Sequence, residues 1–289
     1  MIAAIIQIFI GGLLSGGLYA IGAFGLSISF GVLRVLNLAH GDFLMLGGFA
    51  GYALHKLLGL NPFLAIVVVA PVFLGVGLLL QRWIIARISD RTMHELLVGA
   101  TLITLGLSMI LEDVTAFAWG GSMAGIPYTL PSLVFGGVTV PLIRLLVLLA
   151  TIVLTVAVHL YLTRTFLGRA IVALTQEREG ALAVGVNIPL ASMATFGLGT
   201  ALAAAAGILY ALLFTVEPFM GLPVTVKFLA IIVLGGMGSL PGGLLGGLII
   251  GLGEALTGFY IGPHWTPTVA FVFLLAILLV RPHGLFGRA

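Results

Sequence analysis

The sequence predicts an all-α protein, a polytopic membrane helix bundle of eight or nine segments with broken or re-entrant helices. Three observations carry this. Hydrophobic residues fill 61% of the 289 positions and charged residues only 7%, where a soluble domain carries about 25% charged residues. Charge this sparse would leave a water-facing surface almost bare, so the surrounding solvent is mostly lipid. Charge-free stretches recur at 1–33, 43–55, 57–81, 96–111, 114–143, 145–163, 180–216, 228–253 and 255–280, and a helix needs roughly 20 apolar residues to cross a bilayer. The 41 glycines agree, because transmembrane helices use glycine more than soluble ones do.

Trimmed at prolines and polar clusters, these stretches predict helices near 3–33, 39–57, 62–88, 95–118, 140–162, 190–215, 225–237, 240–259 and 266–281. The first is too long for a simple span at about 1.5 Å per residue. It must tilt, extend into water, or break at Gly11-Gly12 or Ser15-Gly16-Gly17. The pair 225–237 and 240–259 is interrupted by Gly235-Gly236-Met237-Gly238-Ser239-Leu240-Pro241-Gly242-Gly243. Proline lacks a donor and glycine weakens a helix. Backbone freed in this way must be buried in protein or line a wet cavity.

Lys and Arg set the orientation, since cytoplasmic loops are enriched in them. Arg82, Arg87 and Arg91 follow the third helix, Arg164, Arg169 and Arg178 the fifth, and Arg281 and Arg288 lie in the tail. These segments are expected in the cytoplasm. The charge-free segment 119–139, with Gly120-Gly121, Pro127 and Pro131, reads as an outer loop, as does the connection from Glu217 to Lys227. The N-terminus is then outside, the C-terminus inside, and the 225–259 pair goes in and comes back. No separate soluble domain or internal repeat is visible, so residues 1–289 read as one transmembrane domain. Met1 runs directly into apolar sequence, and no removed signal peptide is expected. Cysteine is absent, which excludes disulfides and Cys-based metal sites. The net charge of +3 and pI near 9.5 come from cations spread along the chain, so nucleic acid is not an expected partner.

Small residues recur at four-residue spacing in two rows, Gly12, Gly16 and Ala20, and Gly235, Ser239, Gly243, Gly247 and Gly251. On continuous helix such rows let helices approach closely. The plain alternative to a pathway role is packing. Arg34, Asn37, His40 and Asp42 form the densest polar cluster near an early helix. Ionisable groups at membrane depth are costly and mark functional sites, though a solvated turn at the boundary would show the same residues. The cluster offers too few ligands for a metal, and no metal site is expected. The adjacent acids Glu112-Asp113 could serve proton coupling but better suit an interfacial helix end, and Lys227 suits a side chain snorkelling to the interface. Glu254 lies deeper in its helix and is the better pathway candidate.

The loop 163–189 is the longest polar-containing connection. Thr175 can cap a short helix there, Glu177 and Glu179 suit its first turns, and Gly185 can end it. Its other face, Ala181, Leu182 and Val184, suits docking into a partner's groove. The alternative is a helix lying on lipid headgroups. The only lysines, Lys56 and Lys227, belong to no Gly-xxxx-Gly-Lys-Ser/Thr motif, so any ATPase must be a separate chain. An intramembrane enzyme using Ser239 or His40 has no supporting spacing.

Four ordered stretches resemble the permease subunits of bacterial ABC importers for branched-chain amino acids. They are Gly17-Leu18-Tyr19-Ala20 to Phe30-Gly31-Val32 with Asn37-Leu38-Ala39-His40-Gly41 and Met45-Leu46-Gly47, then Gly168-Arg169-Ala170 to Gly185-Val186-Asn187. The others are Val233 to Gly242 with Gly246-Gly247 and Gly251-x-x-Glu254, and Arg281-Pro282-x-Gly284-Leu285-Phe286-Gly287. Any one glycine motif is weak, but the ordered set spans nearly the whole chain. The resemblance implies a permease of the bacterial inner membrane that is not itself an enzyme. It implies a second homologous permease, two ATP-binding subunits that hold ATP and Mg, and a periplasmic solute-binding protein. It places ATPase coupling at Arg169, Thr175, Glu177, Arg178, Glu179, Ala181 and Gly185. Read from the residues themselves, broken elements beside the translocation pathway are expected at Asn37, His40, Asp42, Gly235, Gly236, Gly238 and Ser239, with Glu254 as a pathway residue. An ion-coupled secondary transporter or a channel is the rival reading, because broken helices and buried acids would serve it equally.

Overall fold

A computed structural model describes residues 2–88, 93–135, 138–281 and 284–286. Arg91, Arg288, Pro282 and Gly287, used above for orientation and resemblance, lie outside the described residues. The helices are α1 (Ile2–Leu33), α2 (His40–Leu58), α3 (Pro62–Trp83), α4 (Met93–Trp119), α5 (Leu142–Arg164), α6 (Phe166–Gln176), α7 (Arg178–Ala183), α8 (Ile188–Leu213), α9 (Gly221–Gly235), α10 (Leu240–Tyr260) and α11 (Thr266–Val280). Among the described residues seven helices are long and apolar enough to cross a membrane. The all-α membrane bundle expected from composition is therefore present. One small addition lies in the 119–139 segment, where β1 (Ser132–Phe135) pairs antiparallel with β2 (Val138–Pro141).

Helix starts follow local chemistry. Asn61, Asn187 and Ser239 each accept a backbone N–H of the first turn, from Phe63, Leu190 and Gly242. Each is followed by a proline at one of the first two helical positions, where the missing N–H costs nothing. Pro241 is thus the start of α10 and not a lesion in it.

The core forms where glycine and alanine let backbones meet. α1 is continuous across Gly11-Gly12 and Ser15-Gly16-Gly17, about 48 Å long at 1.5 Å per residue. Its row of Gly12 and Gly16 packs directly on Gly247, Leu248, Gly251 and Leu252 of α10, and Gly247 reaches the backbone of Ala20. The first row therefore meets the Gly247 and Gly251 part of the second row in one interface. The second row divides in use: Gly247 and Gly251 pack, Gly235 and Ser239 belong to the turn, and Gly243 has open space. α8, with its run Ala203-Ala204-Ala205-Ala206-Gly207 buried, is the central post. A Cβ on Gly47 or Gly207 would overlap the α8 and α2 backbones respectively.

Apolar side chains on α3, α4 and α11 point outward. Phe117 is 93% exposed, Val67 70% and Leu275 62%, which suits a lipid or protein neighbour and not water.

Gly207→Ala forces a side chain into the Leu44 carbonyl of α2. It should lower the thermal unfolding midpoint in detergent, since overpacking costs about 1–3 kcal/mol. Gly75→Ala in α3, where nothing lies within 4 Å, should leave the midpoint unchanged or slightly raised.

Candidate functional site

Two connections that look like surface turns dive into the bundle. Residues 34–39 leave the end of α1 and run back alongside it. α2 then starts at His40, whose ring lies against Gly22 and Gly25 of α1. Residues 214–220 do the same from the other end. Val216 bonds Ala124 in both directions (2.8 and 2.7 Å) and packs on Gly48 of α2, and α9 starts at Gly221 beside Gly41 and Asp42. The N-termini of α2 and α9 thus meet deep in the bundle.

Threonines satisfy the backbone freed there. The Thr104 hydroxyl of α4 accepts the N–H of Leu38 (3.2 Å) and lies 3.2 Å from the Leu36 carbonyl. The Thr225 hydroxyl accepts the N–H of Gly41 (2.7 Å) and donates toward the Leu38 carbonyl (2.9 Å). His40 Nε2 is 2.9 Å from the Gly22 carbonyl, and since a carbonyl only accepts, this nitrogen carries the proton. Asp42 is fully buried with its carboxylate against Gly221, between two helix N-termini whose dipoles favour negative charge. Ser108 and Glu112 of α4 face it.

A cavity of about 690 Å³ lies between the first half of α1, the start of α5, the ends of α8 and α10, the middle of α9 at Lys227, and the start of α11. The ends of α1, α5, α8, α10 and α11 named here belong to the side opposite α6 and α7. Its floor is an ion pair. Lys227 Nζ of α9 stands 2.7 Å from Glu254 Oε1 of α10. The Tyr19 hydroxyl donates to Glu254 Oε2 at 2.8 Å, and Lys227 Nζ lies 4.6 Å from the Tyr19 ring centre. Tyr19 is near the midpoint of α1, so the pair sits at the depth where an unpaired charge is costly. The rim carries Arg144.

The structure sorts the sequence candidates. Asn37, His40 and Asp42 are buried in the first break, so the solvated-turn alternative does not hold. Gly236 and Gly238 form the α9–α10 turn at positive φ of 99° and 81°, and Gly235 packs on Gly242. The turn lies against Ser27, Gly31 and the α6 side, away from the cavity. The carbonyls of Leu234 and Gly235 accept N–H groups of Leu285 and Phe286 in the tail (2.9 and 3.1 Å). Glu254 alone of the candidates lines the cavity. Lys227 is not a snorkelling interfacial residue, because its α9 position faces Glu254 across the floor. Glu112 turns toward Asp42 while Asp113 is exposed.

Loop 163–189 holds two helices instead of one. Thr175 lies in the last turn of α6, its hydroxyl bonded to Val172, and caps nothing. Glu177 caps α7 through the N–H of Glu179, and Gly185 closes it with φ of 81°. Arg169 and Arg178 are exposed or partly exposed, with Leu182 and Val184 exposed at 52% and 80%. Ala181 is buried, so it is not part of the presented face. Tyr19, Thr104, Arg144, Tyr210, Gly221 and Thr225 were not singled out by the sequence as site residues. For Tyr19, Thr104, Tyr210 and Thr225 the only signal was polarity inside apolar runs, for Arg144 a lone charge between two of them, and Gly221 carried none.

Fold and site together define a polytopic membrane bundle with discontinuous helices around a charged cavity, the architecture of a solute pathway. The chain belongs to the family of permease components of branched-chain amino acid transport systems, whose match covers residues 8–280. It is 30% identical to the high-affinity branched-chain amino acid permease BraD of Pseudomonas aeruginosa, over 98% of this chain and 96% of the relative. LivH of Escherichia coli K12 is 28% identical with the same coverage. A probable LivH of Methanocaldococcus jannaschii is 26% identical over 96% of this chain and 91% of its own length. In fold it is similar to PsaBC from Streptococcus pneumoniae, solved with a Fab, at a TM-score of 0.51 and 16% identity, covering 99% of this chain and 98% of that one.

Removing one partner of a buried ion pair leaves an orphan charge, at about 3–5 kcal/mol when fully buried. The Lys227 and Glu254 side chains are 20% and 11% exposed, so the cost here is lower. Lys227→Met should lower the unfolding midpoint in detergent, and Lys227→Met with Glu254→Gln should recover most of the loss.

Proposed function

We propose that this chain is one permease half of an ATP-driven importer for branched-chain amino acids, working by alternating access. Its partners on this reading are a second homologous permease, two ATP-binding subunits that carry ATP and Mg, and a periplasmic solute-binding protein. The carrying observation is the platform made by α6 and α7. It presents Phe166, Leu182 and Val184 to the outside of the bundle. It is rooted inside by Ile171 and Leu174, and Thr175 touches Gly31 at the end of α1. A push on this platform reaches α1 and, beside Gly31, the α9–α10 turn at Gly238. ATP binding to the partners then biases a two-state bundle whose cavity opens on the opposite side.

The arginines support the orientation. Arg34, Arg82, Arg87, Arg164, Arg169, Arg178 and Arg281 all lie at helix ends or loops on the α6–α7 side, while Lys56 and Arg144 lie at helix ends on the other. By the positive-inside tendency the α6–α7 side is cytoplasmic, and the cavity opens outward in a bacterial inner membrane. Asp42 and Glu112 are the groups an ion-coupled transporter would use, and family membership weighs against that rival.

Two measurements test this. Replacing Glu177 and Arg178 by alanine should cut uptake by the assembled importer about tenfold or more while the chain still folds, as expected when a coupling contact worth 1.4 kcal/mol or more is lost. Unchanged uptake with normal ATPase assembly would remove α7 from coupling. The chain has no cysteine, so Ser122→Cys should react with a membrane-impermeant thiol reagent added outside cells and Val184→Cys should not. The opposite pattern would invert the orientation.

A further inference from the structure

The cavity floor has an arrangement that packing alone does not require. It carries one cation and one anion facing the same space. Tyr19 holds Glu254 by Oε2, which leaves Oε1 to Lys227 alone. Arg144 adds a second cation at the rim, where its guanidinium lies against Gly11. Tyr210, Phe214 and Phe259 line the rest of the wall with apolar surface.

We propose that this cavity is a way-station for the α-amino-acid zwitterion. Lys227, with Arg144 above it, receives the α-carboxylate. Glu254 receives the α-ammonium at Oε1, and the aromatic wall takes the aliphatic side chain. The proposal deepens the importer reading and rests on it. Its physical basis is charge exchange. A zwitterion entering between Lys227 and Glu254 replaces one ion pair by two, so neither protein charge is orphaned at membrane depth. When the solute leaves, the pair closes on itself. A solute with one of its two charges removed would leave Lys227 or Glu254 unpaired and is rejected for that reason. The closing pair also keeps the resident affinity low, which a transport station needs in order to release its cargo.

The test uses the assembled importer in lipid nanodiscs or vesicles, with a diazirine analogue of leucine as photoprobe. Labelling should map to peptides containing Tyr19, Tyr210, Phe214 or Lys227. Free leucine should compete, and leucinamide and N-acetyl-leucine, each lacking one charge, should compete at least about tenfold less well. Lys227→Met with Glu254→Gln, the stability-restored double variant, should remain folded and assembled yet lose labelling and uptake about tenfold or more. If that variant regains uptake along with stability, the pair is only a latch between α9 and α10 and the proposal is overturned. Wild-type uptake of leucine without labelling in the cavity also overturns it and leaves the importer reading standing. A wild-type assembly that takes up none of leucine, isoleucine and valine overturns the importer reading itself.

Discussion

Backbone N–H and C=O groups inside a bilayer have no water to bond, and each one left unpaired costs several kcal/mol. Most of this chain meets the constraint with uninterrupted helix. Two segments, 34–39 and 214–220, do not, and the centre of the molecule is organised around them. Thr104 and Thr225 take up the exposed backbone of the first. An isolated antiparallel bridge between Ala124 and Val216 takes up backbone of the second. Because these partners come from α4, α9 and the 119–139 segment, the breaks tie distant parts of the sequence to one place. The α9–α10 turn obeys the same rule at the other side, with its carbonyls closed by Leu285 and Phe286.

The same breaks determine where charge can sit. α9 begins at Gly221, deep in the bundle, so Lys227 falls less than about two turns further on and lands opposite Glu254. Had α9 begun at the membrane surface, Lys227 would have snorkelled there. Asp42 likewise depends on two helix N-termini converging on it. Glycine makes both arrangements possible, since a Cβ on Gly221 would overlap the Asp42 carboxylate and one on Gly41 would overlap the Gly221 carbonyl.

The apolar spans were legible because their signal is local and long: α4, α5, α8, α10 and α11 begin and end within a few residues of the positions read from charge and proline. The α9–α10 turn was legible from its glycines. The dive of 214–220 was hidden, because Glu217, Pro218 and Pro223 have the composition of an outer loop. The 119–139 segment was read as external for its lack of charge, whereas Ala124 and Ile126 are buried. Gly120, Gly121, Ser122 and Met123 beside them are exposed, as an outer loop expects, so only the inward turn at Ala124 and Ile126 went unsignalled. The Tyr19–Glu254–Lys227 cluster joins residues up to 235 apart in sequence, and no spacing rule reaches that far. Thr175 misled because threonine suits a helix start, but its hydroxyl can equally bond back within a helix.

The central claim is that the bundle is half of an ATP-driven pathway, with its moving platform at α6–α7 and its solute cavity on the far side. Recovery of the tagged chain from native membranes in mild detergent, with every co-purifying protein identified, tests it most directly. The account predicts two P-loop ATPases and a second, homologous permease in the same complex. A partner-free chain that moves solute in liposomes under an ion gradient would contradict it, and would transfer the coupling role to Asp42 and Glu112.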